Sequence, residues 1–331
     1  MTKIVIDRDI PFLDGVFEPY AEVVRPEGSR ISPHDAADAD ALAVRTRTRC
    51  NAALLEGSKV RTVVTATIGT DHIDTAWCGS HGIGVFNAAG CNARGVLQWV
   101  AAVLVQIVRH SGRRPEDFTL GVVGVGNVGS LVERYARNWG FRVICCDPPR
   151  EEREHCGFIP VEAVFGQADI VTLHVPLDSS TRHMVDRRLL SILNDKFLIN
   201  ASRGEVVDSE ALLDSRSDFA LDVWEHEPDI DRRIVERALF ATPHIAGYSL
   251  QGKANASARV VEVLSRKFGF PLDGWYPAGI ARTIPADIGW EELCRTVADH
   301  FDIETESRRF KEHPDLFEPM RNNYNYREEY F

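Results

Sequence analysis

Four segments of this 331-residue chain place glycine, arginine, carboxylate and histidine at spacings that chemistry can use. The first is Gly124-Val125-Gly126-Asn127-Val128-Gly129, which follows a β-branched run and opens a helical pattern. In that context the first glycine allows a tight turn, the second lets backbone approach a pyrophosphate, and the third lets helix and strand pack closely. The helix N-terminus would offer N–H groups and a favourable dipole to phosphate. Asp147 lies 147 − 129 = 18 residues beyond the last glycine, at the end of the next strand. A carboxylate there accepts hydrogen bonds from ribose hydroxyls and repels a 2′-phosphate, which favours NAD over NADP. Arg150 works the other way, because an arginine nearby can accommodate that phosphate. The competing reading is a glycine turn needed only for packing, with Asp147 a solvated strand end.

The other three segments are Asn200-Ala201-Ser202-Arg203-Gly204, Leu221-Asp222-Val223-Trp224-Glu225-His226-Glu227-Pro228 and Thr242-Pro243-His244-Ile245-Ala246-Gly247. Each falls at the end of an apolar strand pattern, and in an open α/β sheet ligands gather at the carboxyl ends of strands. These residue types suit hydride transfer at a hydroxy acid. Arg203 offers a planar fork to a carboxylate. His244 can take the hydroxyl proton as hydride leaves and return it in reverse. Glu227 would fix the imidazole tautomer and favour the protonated ring. Singly, each has a structural alternative: a turn histidine, a strand-capping arginine, a surface glutamate. Joint occurrence behind a dinucleotide motif is the specific signal. His174, inside a strand near the motif, reads as a packing residue.

The elements that must position these groups alternate in type. Strands are expected at residues 3–7, 41–44, 60–65 and 83–86, and then a long, largely buried helix at 93–110. A second series follows: strand 119–125, helix 130–139, and strands 142–147, 168–177, 196–201, 219–223 and 240–242, then a helix at 251–269. This rhythm predicts two doubly wound parallel-sheet domains. The remaining segment, 287–331, is charged and aromatic.

Composition closes off other classes. The chain has 38 basic and 49 acidic residues, a net charge of −11, so no global field favours nucleic acid or acidic lipid. No apolar run reaches the length of a membrane span, and Asp7 interrupts the N-terminus too early for a signal peptide, so cytoplasmic residence is expected. The seven cysteines are scattered without a CxxC, so neither a disulfide framework nor a metal site is expected.

Taken together, GVGNVG, CDPPR (146–150), HVPL (174–177), NASRGEVVD (200–208), LDVWEHEP and TPHIAGY (242–248) resemble the D-isomer-specific 2-hydroxyacid dehydrogenases. ATIGTDHID (66–74), GCNA (90–93), HIAGYSLQGKA (244–254) and VRTRT (44–48) are closest to the branch that acts on 4-phospho-D-erythronate in vitamin B6 biosynthesis. The resemblance implies a Rossmann NAD domain at 93–247 nested in a flavodoxin-like substrate domain at 1–92 and 248–286. Residues 287–331 would be a shortened C-terminal dimerisation segment of a homodimer, and the active site would lie in the cleft between domains. It also implies oxidation of the phosphorylated hydroxy acid by NAD, with Arg203 and Glu227 in the active site and His244 as proton donor.

By the same resemblance Asn127, Val128, Asp147, Val175, Ala201, Ser202, Arg203, Asp222 and Gly247 join Gly124, Gly126 and Gly129 around NAD. Thr46, Thr67 and Tyr248 would touch substrate. The alternating Arg45, Arg47 and Arg49 would share a face if that segment is extended, and Arg45 is the candidate for the substrate phosphate, with Arg321 and Arg327 of a neighbouring subunit as alternatives. Competing functions are a dehydrogenase for glycerate or phosphoglycerate, an NAD-sensing corepressor, and an inactive scaffold.

Overall fold

The computed structural model describes all 331 residues. Five helices have ten or more residues: α1 (Ala93–Ser111), α2 (Gly129–Asn138), α3 (Leu250–Phe268), α4 (Trp290–His300) and α5 (Ile303–Glu312). No helix is long and apolar enough to cross a membrane. The chain divides into two compact units, Met1–Asn92 with Leu250–Arg282, and Ala93–Ser249 with Thr283–Phe331.

The first unit is built on β1 (Lys3–Ile6), β2 (Glu22–Val24), β3 (Ala41–Val44), β4 (Thr62–Thr65) and β5 (Gly84–Phe86). They form one parallel sheet in the order β2-β1-β3-β4-β5, the flavodoxin-like arrangement. Apolar residues on consecutive positions serve both faces, because strand side chains alternate. Ile4, Ile6, Ala43 and Val64 join Val260, Val261 and Leu264 of α3 in one core layer. Val5, Leu42, Val44 and Val63 join Leu54, Leu55 and Cys78 in the other. The edge strand β2 escapes sequence reading: three residues, only half-buried, carry no period.

The second unit holds β6 (Thr119–Val123), β7 (Arg142–Cys146), β8 (Ile170–Leu173), β9 (Phe197–Asn200), β10 (Asp218–Leu221) and β11 (Phe240–Ala241). They form a parallel sheet in the order β11-β10-β9-β8-β6-β7. Beside β7 the Ile159 N–H donates to the Cys145 carbonyl at 2.9 Å, a single hydrogen bond where a further strand would pair. The strand order reverses between β6 and β8, which is where such sheets bind their ligands. Helix α1 is largely apolar because it is enclosed: residues 96–108, Gln98 and Gln106 among them, are all buried.

Residues 287–331, expected as a separate segment, fold onto this second unit. Helix α4 packs on α1 and α5 packs on β11. Leu293, Val297, Phe301, Ile303 and Phe331 share a core with α1, and Phe310 and Phe317 share one with Trp224. The two-residue edge strand β11 is thereby covered, and the Ala241 N–H donates to Ser307 Oγ of α5 at 2.9 Å. The reason is apolar burial: Phe301, Phe310, Phe317 and Phe331 of the tail are buried in the cores of this unit.

Candidate active site

The glycine motif adopts the geometry its spacing predicts. Gly124 has φ +86°, and a Cβ there would lie 2.8 Å from the His174 carbonyl and 2.9 Å from Val175 Cγ1. A Cβ on Gly129 would lie 1.9 Å from the Gly124 carbonyl oxygen, so the third glycine lets α2 dock on the turn. Above Gly126 there is nothing within 4 Å, and Gly126 and Asn127 are exposed beside the α2 N-terminus. Open space over the middle glycine, with closed contacts at its partners, fits a pyrophosphate.

Asp147 supports this turn as well as facing it. Its Oδ2 accepts from the Val125 N–H at 2.8 Å, and its Oδ1 from the Arg150 N–H at 3.0 Å. Each carboxylate oxygen keeps a second lone pair for a ribose hydroxyl. Arg150 donates to the Val125 carbonyl at 2.7 Å and pairs with Glu154 at 2.5 Å. Its charge is thus already matched, which removes the argument for a 2′-phosphate. Burial pushes the His174 pKa down to about 3, and Thr172 Oγ1 lies 2.9 Å from its Nε2, so the ring stays neutral and structural.

Val175 follows β8, Ala201–Arg203 follow β9, Asp222–Glu227 follow β10 and His244–Tyr248 follow β11. Because β6, β8, β9, β10 and β11 are parallel neighbours, these loops share one sheet edge with the glycine turn. The span is about 19 Å at about 4.8 Å per strand. The β9 loop is shaped by Asn200. Its Oδ1 accepts from the Ser202 N–H and hydroxyl at 3.0 and 2.7 Å, and its Nδ2 donates to the Arg203 carbonyl at 2.8 Å. A Cβ on Gly204 would lie 2.0 Å from the Trp224 carbonyl carbon, so this loop presses directly on the backbone after β10. Arg203 remains half-buried at the edge, with Nη1 donating to the Ser202 carbonyl at 2.7 Å.

Asp222 is buried beneath the His244 loop. Its Oδ1 accepts from Thr242 Oγ1 at 2.6 Å and from the Ile245 N–H at 2.8 Å, and its Oδ2 from the Ala246 N–H at 2.8 Å. Burial pushes its pKa up to about 6 against the pull of His244 and these donors. Its main structural task is therefore to hold the loop. That loop carries cost: His244 has φ +57°, a left-handed conformation worth about 1 kcal/mol or more against a non-glycine residue. The Asp222 hydrogen bonds over-determine it.

His244 Nδ1 lies 2.7 Å from Glu227 Oε2. The other Glu227 oxygen accepts from the Trp224 N–H at 3.0 Å. Burial pushes Glu227 up, but His244, Arg321 and this N–H outweigh it and hold the carboxyl below its usual range. An ionised Glu227 keeps the proton on Nδ1, which leaves Nε2 as the acceptor for a substrate proton. Arg203, Glu227 and His244 thus end on loops of three adjacent strands.

Sequence reasoning missed the support this pair receives from the tail. Arg321 Nη1 lies 3.6 Å from Glu227 Oε2, and its Nε donates to Tyr248 Oη at 3.1 Å. Arg327, expected to reach the phosphate of a neighbouring subunit's substrate, is buried in its own chain. It donates to the Ile245 carbonyl at 3.1 Å, the Gly95 carbonyl at 2.8 Å and the Ala246 carbonyl. Glu329 accepts from Ser249 Oγ at 2.6 Å. No local spacing signals these contacts, because they join residues about 80 positions apart.

In the first unit, Thr46 and Thr67 lie in the loops after β3 and β4. Thr46 is exposed, and Thr67 Oγ1 lies 2.6 Å from Thr65 Oγ1. Arg45 is not an available cation. Its Nε lies 3.0 Å from Asp7 Oδ2 and its Nη2 2.6 Å from Asp9 Oδ2, with Asp7 fully buried. The expected alternation of Arg45, Arg47 and Arg49 also fails, because the chain turns there: the Thr48 N–H donates to the Arg45 carbonyl at 3.1 Å. A phosphate at Arg45 would face two carboxylates, which argues for a structural role of this arginine.

Residues 94–246 match the family model of the D-isomer specific 2-hydroxyacid dehydrogenase NAD-binding domain. The chain is 41% identical over 340 residues to an erythronate-4-phosphate dehydrogenase of Bacteroides fragilis, covering 99% of this chain and 97% of that protein. It is 44% identical over 283 residues to the enzyme of the same name from Marinobacter nauticus, covering 81% of this chain and 73% of that one. Among solved structures, NAD-bound 3-phosphoglycerate dehydrogenase of Entamoeba histolytica superposes with TM-score 0.69 at 24% identity, covering 85% of this chain and 99% of that chain. With NAD as the cofactor its glycine turn fits, the chain belongs to the D-isomer-specific 2-hydroxyacid dehydrogenase family, alongside the erythronate-4-phosphate dehydrogenases.

Proposed function

We propose that the chain oxidises 4-phospho-D-erythronate to 2-oxo-3-hydroxy-4-phosphobutanoate, a step of pyridoxal phosphate biosynthesis. The substrate is taken from the relatives' name. The chemistry rests on one observation, the 2.7 Å His244–Glu227 pair on the sheet edge that carries the glycine turn. NAD, when bound, supplies the hydride acceptor. Gly124, Gly126, Asn127, Val128, Gly129, Asp147, Val175, Ala201, Ser202 and Gly247 would hold it, with Asp222 acting through the loop it anchors. Arg203 binds the substrate carboxylate as a charge-assisted fork. His244 Nε2 accepts the C2 hydroxyl proton, and Glu227 stabilises the imidazolium so formed. Thr46, Thr67 and Tyr248 hold the sugar-acid chain. With Arg45 committed to Asp7 and Asp9, the exposed Arg49 is the cation on that loop for the phosphate. Seven free cysteines accord with residence in a reducing cytoplasm. A homodimer, the assembly suggested by the family resemblance, is checked by light scattering.

The test is NADH formation on 4-phospho-D-erythronate, D-glycerate, 3-phospho-D-glycerate and D-lactate. The first should be preferred by kcat/KM, and His244→Gln should lower kcat about a hundredfold or more. Preference for another acid refutes the substrate. Tight NADH binding with no turnover of any acid would favour a sensor, and a wild-type rate in His244→Gln refutes its role.

A further inference from the structure

We infer that Arg321 is a positioning residue for the reaction, supplied by the C-terminal segment of the same chain. Its guanidinium holds the Glu227 carboxylate and the Tyr248 hydroxyl in place beside His244. The inference rests on the acid–base reading of His244 and Glu227 above.

The oxygen that Arg321 Nη1 approaches at 3.6 Å is Glu227 Oε2, the same atom that contacts His244 Nδ1 at 2.7 Å. One carboxylate oxygen thus sits between the imidazole and the guanidinium. The fork's Nε simultaneously donates to Tyr248 Oη at 3.1 Å, four residues beyond His244. A single planar cation therefore ties together the loops after β10 and β11, a task that suits arginine better than lysine. Its side chain is only 21% exposed, which limits screening by solvent.

The guanidinium is fixed from behind. Arg321 sits on the short helix Phe317–Asn322, whose Phe317 is buried against Phe310, which in turn packs on Trp224. Beyond the helix, Arg327 donates to the carbonyls of Ile245 and Ala246, so the tail grips the His244 loop on two sides. These contacts lie within one chain, so the segment works in the fold that bears the catalytic pair.

The charges facing His244 set the functional consequence. Glu227 and Asp222, from the β10 loop and strand end, act on it directly, and Arg321 from the tail acts on both carboxylates and on Tyr248. Two carboxylates without the arginine favour the imidazolium. Oxidation needs the neutral ring as base, so removing Arg321 should carry the acidic limb of kcat/KM to higher pH. Loss of the tie between the loops also misaligns Nε2 and should lower kcat about 10- to 100-fold.

The experiment compares Arg321→Met and Arg321→Lys with the parent chain, using NADH formation from 4-phospho-D-erythronate between pH 6 and 9. NADH binding and thermal melting establish that each variant is folded. Arg321→Met should lower kcat and raise the acidic limb, with any rise in KM through the loosened Tyr248 smaller than the fall in kcat, whereas Arg321→Lys should restore the limb while kcat stays about two- to fivefold low. An unchanged kcat and limb in folded Arg321→Met overturns the inference, and so does a rise in KM alone, which would make Arg321 a substrate contact. If Arg321→Met does not fold, Arg321→Lys decides alone, and parental kcat there overturns the proposal. His244→Gln run in parallel separates the failures. An inactive His244→Gln beside a parental Arg321→Met defeats only this inference, and an active His244→Gln defeats the acid–base reading beneath it.

Discussion

Gly204→Ala is a small change with a large expected cost. A Cβ on Gly204 would stand 2.0 Å from the Trp224 carbonyl carbon, 2.1 Å from its oxygen and 2.4 Å from the Glu225 nitrogen. Ordinary contact begins near 3.4 Å, so the two backbones must separate by about 1.4 Å. Neither side can yield cheaply. Asn200 pins the β9 loop through Ser202 and Arg203, and Trp224 is pinned by its N–H to Glu227 at 3.0 Å and its indole N–H to the Thr242 carbonyl at 3.0 Å. Overpacking of this kind costs about 1–3 kcal/mol. Its functional effect is larger, because Arg203 precedes the glycine and Glu227 lies three residues after Trp224. A displacement of about 1 Å between reacting groups costs about a hundredfold, equivalent to about 2.7 kcal/mol of transition-state binding. Steady-state NADH formation should show kcat/KM for the hydroxy acid down about a hundredfold, with melting lowered by about 2–9 °C. NADH affinity should fall less than kcat/KM, since the displaced loop offers NAD only Ala201 and Ser202 while the glycine turn lies two strands away at β6. Parental melting temperature together with parental kcat/KM would refute the claim that this close approach positions Arg203 and Glu227.

Two further substitutions test neighbouring claims. Gly126→Ala meets no protein atom within 4 Å, so it should melt like the parent while NAD binding, measured by titration, weakens at least tenfold. Unchanged affinity would mean that no phosphate approaches that backbone. Arg45→Ala leaves the buried Asp7 carboxylate without its cation and should cost about 1–3 kcal/mol by denaturant unfolding, with KM for phosphorylated and unphosphorylated acids changed alike. A selective loss for the phosphorylated acid would return Arg45 to the phosphate site.

The sequence of this protein determines what is local. Gly124, Gly126 and Gly129 encode a turn whose backbone angles and contacts allow little else, and periodicity marks Ala93–Ser111 and most strands because burial demands it. Arg203, Glu227 and His244 are legible as a set because each follows a strand end, and parallel neighbouring strands bring such ends together. The tertiary structure alone decided which charges are spent and which elements hold the loops. Arg45 reads as a free cation until Asp7 and Asp9, about 37 residues away, are seen to neutralise it. Nothing in the spacing of Asp222 announces that its oxygens hold the His244 loop through the Ile245 and Ala246 N–H groups. The tail carries no motif, yet Arg321 and Arg327 reach the catalytic loops across more than 70 residues of chain. Periodicity and motif spacing report only on neighbours in sequence. An ion pair closed by the fold leaves no such trace, because its partners are chosen by the packing of whole layers.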